Sequence, residues 1–215
     1  MRLAPEGLPF ALAGVALLAV LAVVAALLGG WWWTLPALWI PVALWIPWFF
    51  RHPDRPGPRG DRLLIAPADG KVVSIADVDE PLFIDGPARR VSVFMNVFSV
   101  HVNRYPANGT VAFRQYDPGT FVNATLDKAS EKNERMSLGI ETPRGRVLVR
   151  QIAGLVARRI VTDGVVGDQA HQGERMGLIR FGSRVDTFVP RTTRVLVSIG
   201  EHTRAGVTPI VEWES

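Results

Sequence analysis

The sequence predicts a mainly β domain preceded by an apolar N-terminal helical hairpin. Three features carry that expectation. From Gly7 to Phe50 there is no Asp, Glu, Lys, Arg or His. Beyond Leu63, short apolar runs alternate with Gly, Pro and Asx turn signals, the pattern of strands joined by hairpins. A Gly-acidic pair then recurs: Gly167-Asp168 is followed by Gly173, and Gly200-Glu201 by Gly206, the two copies lying 33 residues apart. A chain of 215 residues has room for one ordinary domain and an appendage, expected as 1–50 and 51–215.

Within the appendage, Pro9 to Gly29 is an apolar run of 21 residues. As a helix it reaches roughly 30 Å, the thickness of a bilayer core. A cleaved signal peptide with Arg2 at its start is the rival, disfavoured by the length of the run and by the apolar segment behind it. Trp31 to Phe50 holds six of the seven tryptophans and three prolines, Pro36, Pro41 and Pro47. Prolines at that spacing kink a helix, and tryptophans favour the headgroup level. A kinked second crossing is expected there, with a re-entrant or interfacial segment as the alternative. Arg51, Arg55, Arg59 and Arg62 follow, a basic flank that places the remainder on the cytoplasmic face of the cell membrane. Residues 51–62 (RHPDRPGPRGDR) read as a Pro/Gly-rich linker.

Strands are expected at Leu63–Pro67, Lys71–Ala76, Val91–Phe98, Gly109–Tyr116, Arg146–Ala153 and Arg194–Ile199, with Asp-Gly and Asn-Gly at the turns. Leu126–Met136 reads as a short helix, with Asn123 upstream as its cap. The tandem Gly-acidic turns suggest two similar hairpins folded over one another, a barrel-sandwich-hybrid-like arrangement. Domains of that type carry biotin or lipoyl on a lysine at an exposed turn, and no such lysine stands here, so the likeness is one of architecture.

The net charge of +4 is too mild to argue for nucleic acid and suits an anionic lipid surface. With no cysteine, disulfides, thiolate catalysis and Cys-ligated metals are excluded. No residue pair has metal-ligand spacing, so no metal is expected.

Chemistry concentrates between the two Gly-acidic copies, in Arg180-Phe181-Gly182-Ser183-Arg184-Val185-Asp186. Gly182 tolerates unusual backbone angles, and the Ser183 hydroxyl lies close to the carbonyl that precedes its own nitrogen. A β-bulge glycine followed by a solvated serine is the plainer reading of such a pair. His101 ends the apolar Val91–Phe98 run, well placed to be desolvated and to exchange protons near neutral pH, or simply to hold backbone. His52, His171 and His202 fall in linker or turn segments and read as solvated.

Several separate motifs resemble the short-form phosphatidylserine decarboxylases over most of 49–215. They are the 180–186 segment with Gly173-Glu174-Arg175-Met176-Gly177 before it, Phe49-Phe50-Arg51-His52-Pro53, Ala66-Pro67-Ala68-Asp69-Gly70-Lys71-Val72, and His101 leading into Pro106-Ala107-Asn108-Gly109. The resemblance implies a membrane enzyme that cuts itself between Gly182 and Ser183 and converts Ser183 into a pyruvoyl group. The products are a 1–182 chain and a 183–215 chain held as a heterodimer, with a homo-oligomer possible. The pyruvoyl then serves to decarboxylate phosphatidylserine to phosphatidylethanolamine, as an electron sink. It also implies that Asp69 lies at the active centre, where a carboxylate orients His101 as in serine-hydrolase triads. Phe121–Arg135 is similar to a family signature near the substrate, which makes Asn133 and Arg135 candidate substrate-binding residues; a solvated helix face is the alternative. Long-form relatives carry a second histidine where this chain has Arg104, leaving His101 either both proton-transfer jobs or the decarboxylation step alone. A membrane-tethered Ser183/His101/Asp69 hydrolase and a non-enzymatic β adaptor on an anchor are the rival functions.

Overall fold

The structure is a computed structural model that describes residues 2–119, 133–154, 159–180 and 182–214. It divides into two units, Met1–Asp54 and Arg55–Ser215. In the first, α1 (Leu8–Leu28) and α2 (Thr34–Phe49) are joined by a 3-10 turn at Gly30–Trp33, and a short ladder pairs β1 (Arg2–Leu3) with β2 (Arg51–His52). Gly29, at φ 67°, ends α1 and donates its N–H to the Ala25 carbonyl. The helices approach closely at Gly14. A Cβ there would lie 3.1 Å from the Ile46 side chain, and the Gly14 carbonyl accepts the Trp39 indole N–H at 2.9 Å. α2 is shorter than the expected 31–50 crossing. Its 16 residues, with Pro41 and Pro47 inside, rise roughly 24 Å. Among the described residues one helical stretch, Pro5–Leu28, is long and apolar enough to cross a bilayer.

The second unit is built from strands: β3 (Leu63–Ile65), β4 (Gly70–Glu80), β5 (Gly86–Met95), β6 (Val102–Arg104), β7 (Gly109–Asp117), β8 (Arg135–Thr142), β9 (Gly145–Ile152), β10 (Ile160–Thr162), β11 (Gln169–Ala170), β12 (Arg175–Ile179), β13 (Ser183–Pro190), β14 (Thr193–Val195), β15 (His202–Thr203) and β16 (Pro209–Trp213). The chain is mainly β, as expected. One eight-stranded sheet runs β11-β7-β8-β9-β13-β5-β4-β15, and two three-stranded sheets run β10-β12-β6 and β14-β16-β3. Between them lies the main core, which includes Leu64, Val72, Val93, Met95, Val111, Leu138, Ile140, Val185 and Val189.

Two expectations are corrected. Most of the helix expected at 126–136, with its cap at Asn123, lies outside the described residues, but Arg135 and Met136 begin a strand. The large apolar residues Met136, Leu138 and Ile140 recur at a spacing of two, as in a strand, and β8 pairs with both β7 and β9, which buries Met136 to Ile140 throughout. The expected linker is tied down from Arg55 onward. Arg59 Nη1 donates to the Gly206 carbonyl at 2.9 Å, and the Gly60 N–H donates to Gln172 Oε1 at 2.9 Å. A Cβ on Gly57 would lie 2.3 Å from the Gly206 carbonyl oxygen, so only glycine fits that crossing.

The β unit is a doubled structure. Equating β3–β5 with β6–β8 and β13–β16 with β9–β12 makes the eight-stranded order read the same from either end, and it superposes the two small sheets in order. The irregularities coincide as well. The shift between Val72 and Ser74 matches that between Val111 and Phe113, and the shift between Pro209 and Val211 matches that between Arg175 and Gly177. Two reciprocal hydrogen bonds, Ile65 N–H to the Pro106 carbonyl and Arg104 N–H to the Pro67 carbonyl, join the copies. The Gly167 and Gly200 turns are equivalent: their N–H groups donate to the Val111 and Val72 carbonyls, both at 2.8 Å. One copy, 102–179, is continuous. The other is split into 63–95 and 183–213, with the first inserted at the place where its own equivalent hairpin, β8–β9, is closed by a tight turn.

Candidate active site

The two seams of that insertion frame the candidate site. β5 ends at Met95 and the chain crosses to β6, while β12 ends at Ile179 and the chain crosses back into β13 at Ser183. Because β5 pairs with β13 and β6 with β12, the crossings are brought side by side. His101 ends the first crossing, and its carbonyl accepts the Ile179 N–H at 3.3 Å. Gly182 has φ 59°, and a Cβ built on it meets nothing within 4 Å. Backbone conformation rather than space therefore calls for glycine, since a left-handed turn costs another residue roughly 1–2 kcal/mol. Ser183 is completely buried, and its Oγ has no hydrogen-bond partner among the described residues. An orphaned buried hydroxyl costs about 1–3 kcal/mol, and in a settled structure it calls for an explanation.

His101 is also completely buried. Its Nδ1 lies 3.0 Å from the Ser99 carbonyl oxygen. A carbonyl only accepts, so Nδ1 carries the proton and the basic lone pair of the neutral ring sits on Nε2. Asn96 holds this loop in shape, its Oδ1 accepting the N–H groups of Phe98 and Ser99 at 2.9 and 3.1 Å. Asp69 accepts Arg55 Nη2 on one oxygen and the Ala205 N–H on the other, both at 2.7 Å. The Nδ1 contact that a triad carboxylate makes is thus held by the Ser99 carbonyl.

Asn133 is buried and donates from Nδ2 to the Ala153 carbonyl at 2.7 Å. Arg135 Nε is 3.0 Å from Asp117 Oδ2. Burial alone would raise the Asp117 carboxyl, but hydrogen bonds from Gln115 and Arg135 outweigh it and hold the group below the usual carboxylate range. Arg135 stands opposite Ile152, and Ile152 opposite Arg184. Arg135 therefore lies at the Ser183 end of the sheet on the face away from the Ser183 side chain. His171 and His202 are exposed, and His52 is half-buried. No group of three His, Asp or Glu among the described residues is placed to hold a metal.

A buried ion pair immediately after Ser183 went unread in the sequence. Arg184 and Asp186, 1% and 0% exposed, face each other along one side of β13, with Nε–Oδ1 at 2.9 Å and Nη2–Oδ2 at 3.0 Å. Beside them, burial pushes the Arg150 guanidinium down while Glu80 and Asp186 pull it up, leaving it lowered. Arg150 Nη2 is 3.1 Å from Glu80 Oε1. The available signal was opposite charge at alternate positions, Arg184 and Asp186, of a strand that carries no other charge.

Comparison with known proteins agrees with the resemblance in the motifs. The chain matches the family described as phosphatidylserine decarboxylase over residues 42–211. It is 48% identical over 209 residues to the phosphatidylserine decarboxylase proenzyme of Symbiobacterium thermophilum, covering 97% of this chain and 94% of the relative. The proenzymes of Syntrophus aciditrophicus and Magnetococcus marinus are 45% and 48% identical, over 97% and 95% of this chain and 96% and 92% of theirs. The chain belongs to the phosphatidylserine decarboxylase family of enzymes.

Proposed function

We propose that this protein is a membrane-associated phosphatidylserine decarboxylase that generates its own pyruvoyl group by cutting the Gly182–Ser183 bond. The observation that carries the reading is a buried serine hydroxyl with no hydrogen-bond partner among the described residues, set behind a left-handed glycine where two sheet-to-sheet crossings meet. Ser183 Oγ adds to the Gly182 carbonyl carbon as His101 Nε2 takes the hydroxyl proton. The Ser183 nitrogen then leaves with a proton, and the amide has become an ester. Loss of the Ser183 Cα proton expels the Gly182 carboxylate, and water converts the residue that remains into a ketone with release of ammonia. The pyruvoyl group supplies an electron sink for carbon dioxide loss. His101, held by Ser99, returns a proton to the substrate Cα. Asp69 and Arg55 are a charged pair at the turn before β4, and Asn133 and Arg135 serve the substrate end of the sheet.

The apolar Pro5–Leu28 stretch supports attachment to the bilayer, where the headgroup must be met, and the arginines after Phe50 favour the cytoplasmic face. A hydrolase using Ser183 is disfavoured by the same burial, since its hydroxyl would have to be open to an incoming ester. Protein extracted from carbonate-washed membranes should run as two pieces, with the smaller blocked to N-terminal sequencing. Ser183→Ala should remain a single inactive chain. A fully active, uncut wild-type chain overturns the reading.

A further inference from the structure

The doubled fold contains its own control for residues near the site. In the continuous copy, Thr162 Oγ1 donates to Gln151 Oε1 at 2.6 Å, and Gln151 Nε2 donates to Asn103 Oδ1 at 2.8 Å. Asn103 Nδ2 in turn donates to Met95 Sδ at 3.5 Å. Asn103 and Gln151 are 0% and 1% exposed, so two amides are buried at the centre of the domain. By strand register the equivalents of Asn103, Gln151 and Thr162 in the split copy are Leu64, Val189 and Val195. Leu64 and Val189 belong to the main core, and Val195 packs against it. The fold therefore closes this place with hydrocarbon in one copy and with a polar chain in the other. Burying amides where aliphatic side chains suffice is unfavourable for stability, so the polarity calls for a function.

The chain is directed. Thr162 gives its proton to Gln151 Oε1, which turns the Gln151 amide nitrogen to Asn103 Oδ1 and leaves Asn103 Nδ2 as the outward donor. That donor rests on a thioether, a weak acceptor. Met95 pairs directly with Ser183, and cross-strand partners carry their side chains on the same face, about 5 Å apart at Cβ. The amide thus waits on a poor acceptor beside the one serine hydroxyl that the proposed self-cleavage requires.

We propose that Asn103 is an oxyanion donor for self-cleavage, with Gln151 and Thr162 as its positioning residues. As Ser183 Oγ bonds to the Gly182 carbonyl carbon, the carbonyl π pair moves onto oxygen while the hydroxyl proton passes to His101. Asn103 Nδ2–H exchanges the Met95 sulfur for that oxygen. The pair returns to re-form the carbonyl when the C–N bond breaks and the nitrogen leaves protonated. The inference rests on the reading of Ser183 as the self-cleaving residue.

The test borrows the residues of the other copy. Asn103→Leu/Gln151→Val/Thr162→Val should fold with an unchanged or higher Tm, and a time course of freshly made precursor should show cleavage at least about 10²-fold slower, as for loss of an oxyanion donor. Thr162→Val, which removes only the hydroxyl that sets the Gln151 amide, should slow cleavage about tenfold. Thr162→Ser, which restores that hydroxyl, should cut at the wild-type rate. A folded triple variant cut at the wild-type rate overturns the proposal. If the triple variant does not fold, equal cleavage rates for Thr162→Val and wild type overturn it. Ser183→Ala staying whole alongside such results leaves the self-cleavage reading standing and removes only Asn103; cleavage of Ser183→Ala removes both.

Discussion

Asp69 and Asn108 occupy the same turn in the two copies and do the same backbone work. Asp69 Oδ1 accepts the Ala205 N–H, and Asn108 Oδ1 accepts the equivalent Gln172 N–H at 2.9 Å. A neutral amide is thus enough to close the turn, and the charge on Asp69 serves something else. Its visible use is the pair with Arg55, whose side chain is 7% exposed against 15% for Asp69. Asp69→Asn should keep the turn and cost about 1–3 kcal/mol in denaturant unfolding, the range for leaving a buried donor short of its partner. If the carboxylate also serves the centre, the same variant should accumulate as uncut precursor. Normal cleavage and turnover would reduce Asp69 to the capping role that Asn108 already fills.

Sheets are where the sequence was most and least readable. The expected strands at 71–76, 91–98, 109–116 and 146–153 all overlap observed ones, because their apolar alternation and Asx-Gly turns are local signals. β8 was hidden, since the Lys and Glu content just upstream reads as helical by composition, and the pairing with β7 and β9 that decides the matter is not written in that segment. The Gly-acidic repeat was legible, but its full meaning required the matching Pro67–Gly70 and Pro106–Gly109 turns and their registers. Ser183 and His101 were readable as residue types; that they stand on two crossings lying side by side was not, because adjacency between seams is a property of topology. At the end of β8, the Asp117–Arg135 pair makes a pH prediction. The folded Asp117 carboxyl lies below its ordinary value, so its stabilisation is fully present above about pH 5 and is lost as pH falls through the folded value. Wild type and Asp117→Asn should differ in Tm near neutrality and converge once the pH has fallen through the folded Asp117 value. A constant difference across that range would show that the pair contributes no charge-dependent stability.

At the scale of the whole β unit, insertion of one copy into a hairpin of the other would let a chain with the proposed cut at 182–183 hold together. A break at 182–183 reopens a seam, leaving each copy's own sheet pairing in place. The piece beginning at Ser183 contributes β13, which is paired along Ser183–Pro190 with β5 and along Arg184–Phe188 with β9. It also contributes β16, paired with β3, and β15, paired with β4, so three separate strands bind it to the larger piece. Val185, Val189, Ile210 and Val211 from this piece are fully buried in the common core. At about 1.5–3 kcal/mol for each large aliphatic side chain, their burial favours association well before hydrogen bonds are counted. Both members of the buried Arg184–Asp186 pair lie within the 183–215 piece, so the proposed cut does not divide that pair. The two pieces should therefore co-elute in detergent on size exclusion and separate only at denaturant concentrations that also abolish the near-UV signal of the folded β unit. Loss of the 183–215 piece under native conditions, with the larger piece still folded, would show that the seam is not self-supporting.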